Sequence, residues 1–398
     1  MKNKKGKAKN KSAIRRLNDW LHLWMGLISG IIVLVVSLTG CIYVFQQDIK
    51  DALEPWRFVE AQDKPYVPPS QLLDTAQAYM PGAKPTGLTY ATREGAAAVG
   101  FSSFEEGKRS FTVVFMNPYS ATFLKKQQTI GNGQFDFFRF IIDGHRALWL
   151  PYEIGRPIVG VATLIFLVLL VTGVVMWWPK STKTAEMKKG FTIRWKASFK
   201  RVNYDLHNVV GFYSLILALV LGITGLVYSF EWFADGLYYV TSGGESRPEH
   251  SHPHSDVSKA GLVPADSVSL LDKAWYKTVA LEPDAQGWYM TPVLRDDDDA
   301  IELIAYQDDG SFYKQYTYFY DRYTLEPYRM RGDRFEEAGF ADQLAMLNYD
   351  MHVGVALGLP GKILAFFVSL ICASLPVTGF MVWLNKKKKS KKREKVRL

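Results

Sequence analysis

The amino-acid sequence predicts a membrane protein that is mainly α, with four transmembrane helices in two tandem parallel repeats and an α+β domain in each of two long outer loops. Three observations carry this. Residues 23–45, 157–178, 208–230 and 363–384 are long and nearly charge-free, each enough to cross a hydrocarbon core that needs about 20 helical residues. The first and third stretches start alike, Asn18-Asp19-Trp20-Leu21-His22 and Asn203-Tyr204-Asp205-Leu206-His207, and each His stands 17 residues before a Thr-Gly step, Thr39-Gly40 or Thr224-Gly225. The second and fourth also match: His145 lies 27 residues before Thr172-Gly173, and His352 lies 26 before Thr378-Gly379. Both halves run helix out, outer domain, helix in, so the repeat axis is normal to the membrane.

The elements follow in order. Residues 1–20 form a basic terminus and 21–45 the first span, which must be helical because lipid offers no partner to unpaired backbone groups. Its apolar run exceeds the roughly 7–15 residues of a signal-peptide core. Leu38-Thr39-Gly40-Cys41 has the form of a lipoprotein processing box, but the third span repeats the Thr-Gly without the Cys, as a packing role requires. The first outer domain, 46–144, opens with a linker holding Pro65, Pro68 and Pro69. A helix at 71–79 follows, then strands at 86–92, 96–102 and 111–116, and Asn117-Pro118-Tyr119-Ser120 turns into 121–125. Residues 145–178 hold an interfacial segment and the second span, 179–205 a basic loop, and 206–230 the third span. The second outer domain, 231–351, has a polar linker at 241–261, a helix at 267–279 and strands at 287–294, 300–307 and 315–320. Asp321-Arg322-Tyr323-Thr324 stands where residues 117–120 stood. Residues 352–384 repeat the interfacial segment and span, and 385–398 are a basic tail. One helix on a small antiparallel sheet, in each loop, is an α+β plan.

Charge sets the expected orientation. Residues 1–16 hold eight Lys/Arg, residues 179–205 eight, and the tail after Asn385 nine, against three acids in all, Glu186, Asp205 and Glu394. The positive-inside rule puts both termini and the middle loop in the cytoplasm. The net charge of +9 is thus a topology signal and argues for no nucleic-acid partner, while the basic tails suit contact with the lipid bilayer. Cys41 and Cys372 lie in apolar helices as small hydrophobes, and no Cys-x-x-Cys-His sequence is present, so a haem here would be b-type.

Paired histidines in a helix bundle have the form of haem ligands. The 17 residues from His22 or His207 to Thr-Gly correspond to about 26 Å of helix, nearly the hydrocarbon thickness. His22 and His207 therefore share a cytoplasmic layer with Thr172-Gly173 and Thr378-Gly379, whose small residues admit a flat macrocycle. His145 and His352 form the outer layer with Thr39-Gly40 and Thr224-Gly225. Twenty-seven helical residues would span about 40 Å, so these two histidines belong on interfacial segments before the spans. A zinc or copper site is the competing reading, but no carboxylate or thiol accompanies the histidines at ligand spacing. Arg146, Arg156 and Lys362 suit haem propionates, or ordinary snorkelling to headgroups. His250, His252 and His254 alternate in a polar linker, which reads as surface chain before it reads as a metal site.

The helix-plus-strands plan ending in Asn/Asp-x-Tyr-Ser/Thr resembles a PepSY domain. His22 to Gly26, His207 to Gly211, His145-Arg146-x-Leu148, Gly155-Arg156-x-Ile158-Val159-Gly160 and Trp177-Trp178-Pro179 resemble the PepSY-associated transmembrane family over about residues 15–385. The fourth segment departs from this pattern: Met351-His352-Val353 lacks the Arg, Pro360-Gly361-Lys362 replaces Gly-Arg, and Trp383-Leu384-Asn385 replaces Trp-Trp-Pro. The resemblance implies an inner-membrane protein with two b-type haems on His22, His207, His145 and His352. It further implies reduction of a ferric siderophore or other ferric chelate by electrons from a cytoplasmic or membrane donor. Some family members are known only as iron-regulated membrane proteins. The alternative is a membrane-anchored PepSY protein that binds a peptide, peptidase or envelope partner without redox chemistry. Haem or metal transport would need a continuous polar path, and the four spans hold almost no ionisable residue to line one.

Overall fold

The computed structural model describes residues 12–105, 108–131, 135–178, 190–249, 252–262, 268–291 and 296–395. His250, Pro179 and much of the basic N-terminus and middle loop lie outside them. The chain divides into a helical unit (Met1–Phe45, Phe138–Ala234, Leu359–Leu398) and a sheet unit (Gln46–Phe137, Asp235–Gly358). In chain order the main helices are α1 (Ala13–Tyr43), α2 (Gln46–Leu53), α3 (Pro69–Tyr79), α4 (Phe137–Ala147), α5 (Tyr152–Trp177), α6 (Phe199–Ser229), α7 (Glu231–Ser242), α8 (Leu270–Leu281), α9 (Phe340–Val353) and α10 (Gly358–Lys395). Among the described residues four stretches are long and apolar enough to cross a membrane: α1, α5, α6 and Val355–Lys388.

The excess length ahead of the second and fourth spans is resolved by breaks. After α4, Leu148 and Trp149 adopt left-handed backbone, φ 53° and 58°, a conformation that strains any residue with a Cβ. Local contacts hold it. The Leu148 N–H donates to the Gly144 carbonyl (3.0 Å), the Trp149 N–H to Asp143 (3.3 Å), and the Trp149 indole N–H to Phe140 (2.8 Å). The Trp149 ring lies so close to Gly144 that a Cβ there would stand 2.3 Å from it, and a Cβ on Gly155 would meet the Ala147 carbonyl at 2.1 Å. Between α9 and α10 the break uses Gly354 (φ 83°) and Gly358 (φ 60°), where left-handed backbone meets no side-chain obstacle.

The strands of the two long segments do not form a small sheet apiece, as the sequence suggested. They join in one antiparallel sheet of order β4-β3-β2-β1-β5-β6-β7-β8. Its strands are β1 (Lys84–Tyr90), β2 (Ala97–Glu105), β3 (Lys108–Met116), β4 (Phe123–Ile130), β5 (Gly287–Met290), β6 (Ile301–Tyr306), β7 (Gln315–Tyr320) and a short β8 (Pro327–Tyr328) that the sequence did not announce. The join is β1 on β5, with Leu88 opposite Met290 and Tyr90 opposite Trp288. Two separate sheets would leave both strands with bare edges, and pairing them removes both. It also fuses the cores. Leu72 and Ala76 of α3 and Ala274 and Trp275 of α8 pack on one continuous face with Leu88, Tyr90, Trp288 and Met290. The Tyr90 and Trp275 rings stack at 4.4 Å, and Asp272 of α8 accepts both the N–H (2.9 Å) and the hydroxyl (2.5 Å) of Ser70 in α3.

The turns at 117–120 and 321–324 share one geometry. Asn117 Oδ1 accepts the Tyr119 N–H (2.8 Å), and Asp321 Oδ1 accepts those of Tyr323 and Thr324 (both 2.9 Å). Each turn closes on a left-handed residue, Ala121 (φ 54°) or Leu325 (φ 59°), whose N–H returns to the first residue's carbonyl at 2.9 Å. The second Asp321 oxygen accepts the Asp256 N–H (2.8 Å) and the Tyr328 hydroxyl (2.9 Å). Burial alone would raise this carboxyl's pKa, but the donors from Asp256, Thr324, Tyr323 and Tyr328 outweigh it and hold the pKa well below the ordinary aspartate value. The stability this depression contributes is complete above the unfolded aspartate pKa of about 3.9 and drains as pH falls through the folded value. Asp321→Asn turns an amide toward the Asp256 N–H and is expected to cost about 1–3 kcal/mol. Denaturant titration of the sheet unit's near-ultraviolet signal in the intact protein, at pH 7 and at pH 3.5, should show a smaller difference between variant and wild type at the lower pH.

Candidate functional site

The helical unit brings His22 of α1 and His207 of α6 together. Their ring centres lie 6.3 Å apart with the planes at 83°. Each imidazole reaches a neighbouring helix through Nδ1: His22 to the Thr172 hydroxyl of α5 at 2.9 Å, His207 to the Thr378 hydroxyl of α10 at 3.0 Å. The hydroxyl protons are already committed, Thr172 to the Leu169 carbonyl (3.1 Å) and Thr378 to Ser374 and Leu375 (2.9 and 3.1 Å). Each hydroxyl therefore receives rather than gives, which puts the imidazole hydrogen on Nδ1 and leaves the lone pair on Nε2. That is the tautomer a metal-binding histidine needs, and a bond through the other nitrogen is how proteins fix it.

Glycine makes the approach possible. A Cβ on Gly173 would meet the His22 ring at 3.4 Å, and one on Gly379 would meet the His207 ring at 3.1 Å. Beneath them, Asn18 donates to the Thr172 carbonyl and Asn203 to the Thr378 carbonyl, both at 3.1 Å. Each Asn stands four residues before its His, on the same helical face. His207 alone rides on a π turn, Leu206–Val210, a feature that recurs at functional positions. Just before it, buried Asp205 accepts Arg201 at 2.6 Å and Arg194 at 3.3 Å.

Between the two imidazoles opens a cavity that faces outward, where Gly26, Gly30, Gly173, Gly211 and Gly379 leave its walls free of side chains. Val33, Phe166, Leu170 and Leu215 make its deep end apolar, while Trp177, stacked on Phe212 at 3.9 Å, forms a side wall. Two metal–imidazole bonds of about 2.0–2.1 Å on one metal, with the ring radii added, put ring centres about 6 Å apart. The observed separation matches that arrangement. Among the described residues no group of three or more His, Cys, Asp or Glu is placed to hold a bare metal ion. A haem brings four nitrogens of its own and asks for two axial ligands, so the residues present fit a haem.

His145 repeats the pattern on α4. Its Nδ1 lies 2.9 Å from the Val36 carbonyl and 3.4 Å from the Thr39 hydroxyl, and a Cβ on Gly40 would meet its ring at 3.0 Å. A carbonyl only accepts, so here too the hydrogen is on Nδ1. His352 lies in the last turn of α9, in the sheet unit. Two residues earlier, buried Asp350 accepts the backbone N–H of Phe312 (3.0 Å) and Tyr313 (2.6 Å), tying α9 to the loop before β7. Arg146 is exposed. Arg156 donates to the Ser229 carbonyl at 3.0 Å and lies over the Tyr152 ring, so part of its guanidinium serves the C-terminus of α6. Lys362 sits over the Phe45 ring. His254 pairs with Asp298 (3.0 Å) and His252 lies edge-on to Phe319, so these linker histidines rest separately on the sheet unit.

The family model of the PepSY-associated TM region matches residues 20–386, which takes in all four matched histidines. The chain belongs to this family. No curated protein matches it. For this PepSY-associated chain, the residues that sequence reasoning left without a role are Asn18, Asn203, Trp177, Phe212, Tyr204, Asn208 and Lys386. The two Asn were legible in principle, since both repeats begin with them. The others reach the cavity only through helix packing.

The glycine spacings predict an asymmetry. Gly173→Ala places its Cβ at ordinary contact distance and should leave His22 where it is, whereas Gly379→Ala and Gly40→Ala should push His207 and His145 aside by a few tenths of an ångström. Imidazole positions in cryo-electron microscopy maps of the three variants, or their ring-proton shifts, would register the difference.

Proposed function

We propose that this chain is a bacterial inner-membrane, b-type di-haem reductase that passes electrons across the bilayer to a ferric siderophore or other ferric chelate in the periplasm. The observation that carries the reading is the His22–His207 pair: two imidazoles at single-metal spacing, each fixed through Nδ1 by a hydroxyl on another helix. In this reading the halves are tandem repeats. The matching Thr clamps and Asn117/Asp321 turns support that, as does the strand order running outward from the β1–β5 join in both directions. Each half of the joined sheet with its helix, α3 or α8, then stands for one PepSY domain. The basic stretches at 1–16, 179–205 and after Asn385 support cytoplasmic termini and a cytoplasmic middle loop.

Bound between two imidazoles, a haem supplies a one-electron couple at its iron. The chain's own residues do the rest. His22 and His207 hold the cytoplasmic-side iron, and His145 and His352 the periplasmic-side one. Thr172, Thr378 and the Val36 carbonyl keep the ligand tautomer, and Gly173, Gly379 and Gly40 give the rings room. The apolar walls of the cavity exclude water and set the potential through burial. The substrate step is a one-electron reduction: Fe(III) in an oxygen-donor chelate becomes Fe(II), which such donors hold far more weakly. No proton transfer is needed, so no general acid or base is assigned.

Purified protein should show a Soret band and two haems per chain. His22→Ala or His207→Ala should remove one haem and leave the other spectrally intact. His145→Ala or His352→Ala should remove the second, and reduction of an external ferric chelate should stop while the remaining haem still accepts electrons from a donor. Unchanged stoichiometry in all four variants would remove these histidines as ligands. Wild-type protein without a Soret band would sink the redox reading and favour a membrane-anchored protein that binds an envelope partner.

A further inference from the structure

We infer that Lys386 anchors the propionates of the haem held by His22 and His207, and so sets which end of the cavity carries the haem's charged edge. The inference rests on the haem reading above. It starts from the polarity of the cavity. On α1 the lining runs from His22 inward to Ser29, Gly30 and Val33, and on α10 from Leu375 and Pro376 outward through Gly379 to Lys386. The two helices meet where Gly30 faces the Pro376 ring, with 3.3 Å available to a Cβ. His207 packs on Gly379, and Lys386 lies seven residues further along α10, about 10 Å of helix. Tyr204 and Asn208 of α6 line the cavity beside His207. One end is thus closed by Val33, Phe166 and Leu215, and the other carries an ammonium.

A haem has two carboxylates, and an apolar end without a cation would leave them desolvated at a cost no packing offsets. They must lie at the end where Lys386 stands exposed. Among the described residues that line the cavity Lys386 is the one lysine or arginine, while Arg194 and Arg201 are engaged by Asp205 and Lys387 lies over the Trp383 ring. Among the described residues Lys386 has no carboxylate partner. Ordinary snorkelling to lipid phosphate is the competing role, and it makes no demand on the haem.

The test uses the full-length protein in nanodiscs and two readouts, the rate of haem transfer to apomyoglobin and the midpoint potentials by optical titration. The phase that disappears in His22→Ala identifies the haem concerned. Lys386→Ala should release this haem faster, by up to about fivefold for one solvent-exposed ion pair. It should also lower the haem's potential, because removing a nearby cation favours the ferric state. Lys386→Arg should restore both quantities, and Lys386→Glu should exceed Lys386→Ala in both. Unchanged release and potential in both Lys386→Ala and Lys386→Glu, with the haem present, would overturn the anchor and leave the haem reading standing. Wild-type protein without haem would overturn both.

Discussion

In the His22 and His207 clamps, a threonine hydroxyl has its proton taken by a carbonyl of its own helix, so toward the neighbouring imidazole it presents only lone pairs. Several features of the helical unit follow from that constraint. A histidine donating through Nδ1 must approach the next helix edge-on, so its ring lies against the residue after the threonine, at ordinary contact distance for a Cβ on Gly173 and closer on Gly379. The carbonyl of the same threonine receives an Asn from four residues upstream of the histidine, which locks two helices at a second point. The clamp repeats on α1–α5 and α6–α10, and the two together set both imidazoles on the wall of one cavity. His145 reaches the same end with a helical carbonyl in place of the hydroxyl.

The sheet unit obeys a different constraint, the backbone's need for partners. Its eight strands form one sheet because β1 and β5 each lack a second neighbour within their own segment. Once they pair, Tyr90, Trp275 and Trp288 form one aromatic cluster beneath two helices, and the Ser70–Asp272 bonds couple the helix starts. α9, which bears His352, is held to this unit through Asp350 and the loop at Phe312–Tyr313. The position of that histidine is therefore set by the sheet unit, whereas His22, His207 and His145 are set by helix-to-helix contacts.

What was legible in the sequence was periodic or repeated. The four spans, the His-to-Thr-Gly spacings and most strand positions could be read because each depends on residues close in sequence or on a motif seen twice. The β1–β5 join could not, because strand pairing across some two hundred residues leaves no local signature. Neither could β8, two residues long, nor the extension of β4 through Lys126–Ile130, where polar residues mask the alternation. Ala121 and Leu325 in left-handed backbone were hidden for another reason: neither residue type favours that region, and the Asx-type turns before them impose it. Trp177 at the end of α5 and Lys386 in the later part of α10 reach the cavity only because of how their helices are rotated, which the sequence does not state.

The two breaks before the second and fourth spans differ in energetic cost. Leu148 and Trp149 in left-handed backbone cost about 1–2 kcal/mol each, which must be recovered from contacts. Trp149 supplies them by stacking on Phe140 at 4.9 Å and closing over Gly144, so the corner beside His145 is rigid. Gly354 and Gly358 pay no such strain, but they leave the unfolded chain more freedom and the folded corner fewer contacts, since nothing lies within 4 Å of a Cβ on Gly358. His145 thus stands on a corner held by side chains, and His352 beside one whose left-handed positions are glycines. The Asp350 bonds to Phe312 and Tyr313 take on the work that Trp149 does in the first half, and they do it from the sheet side.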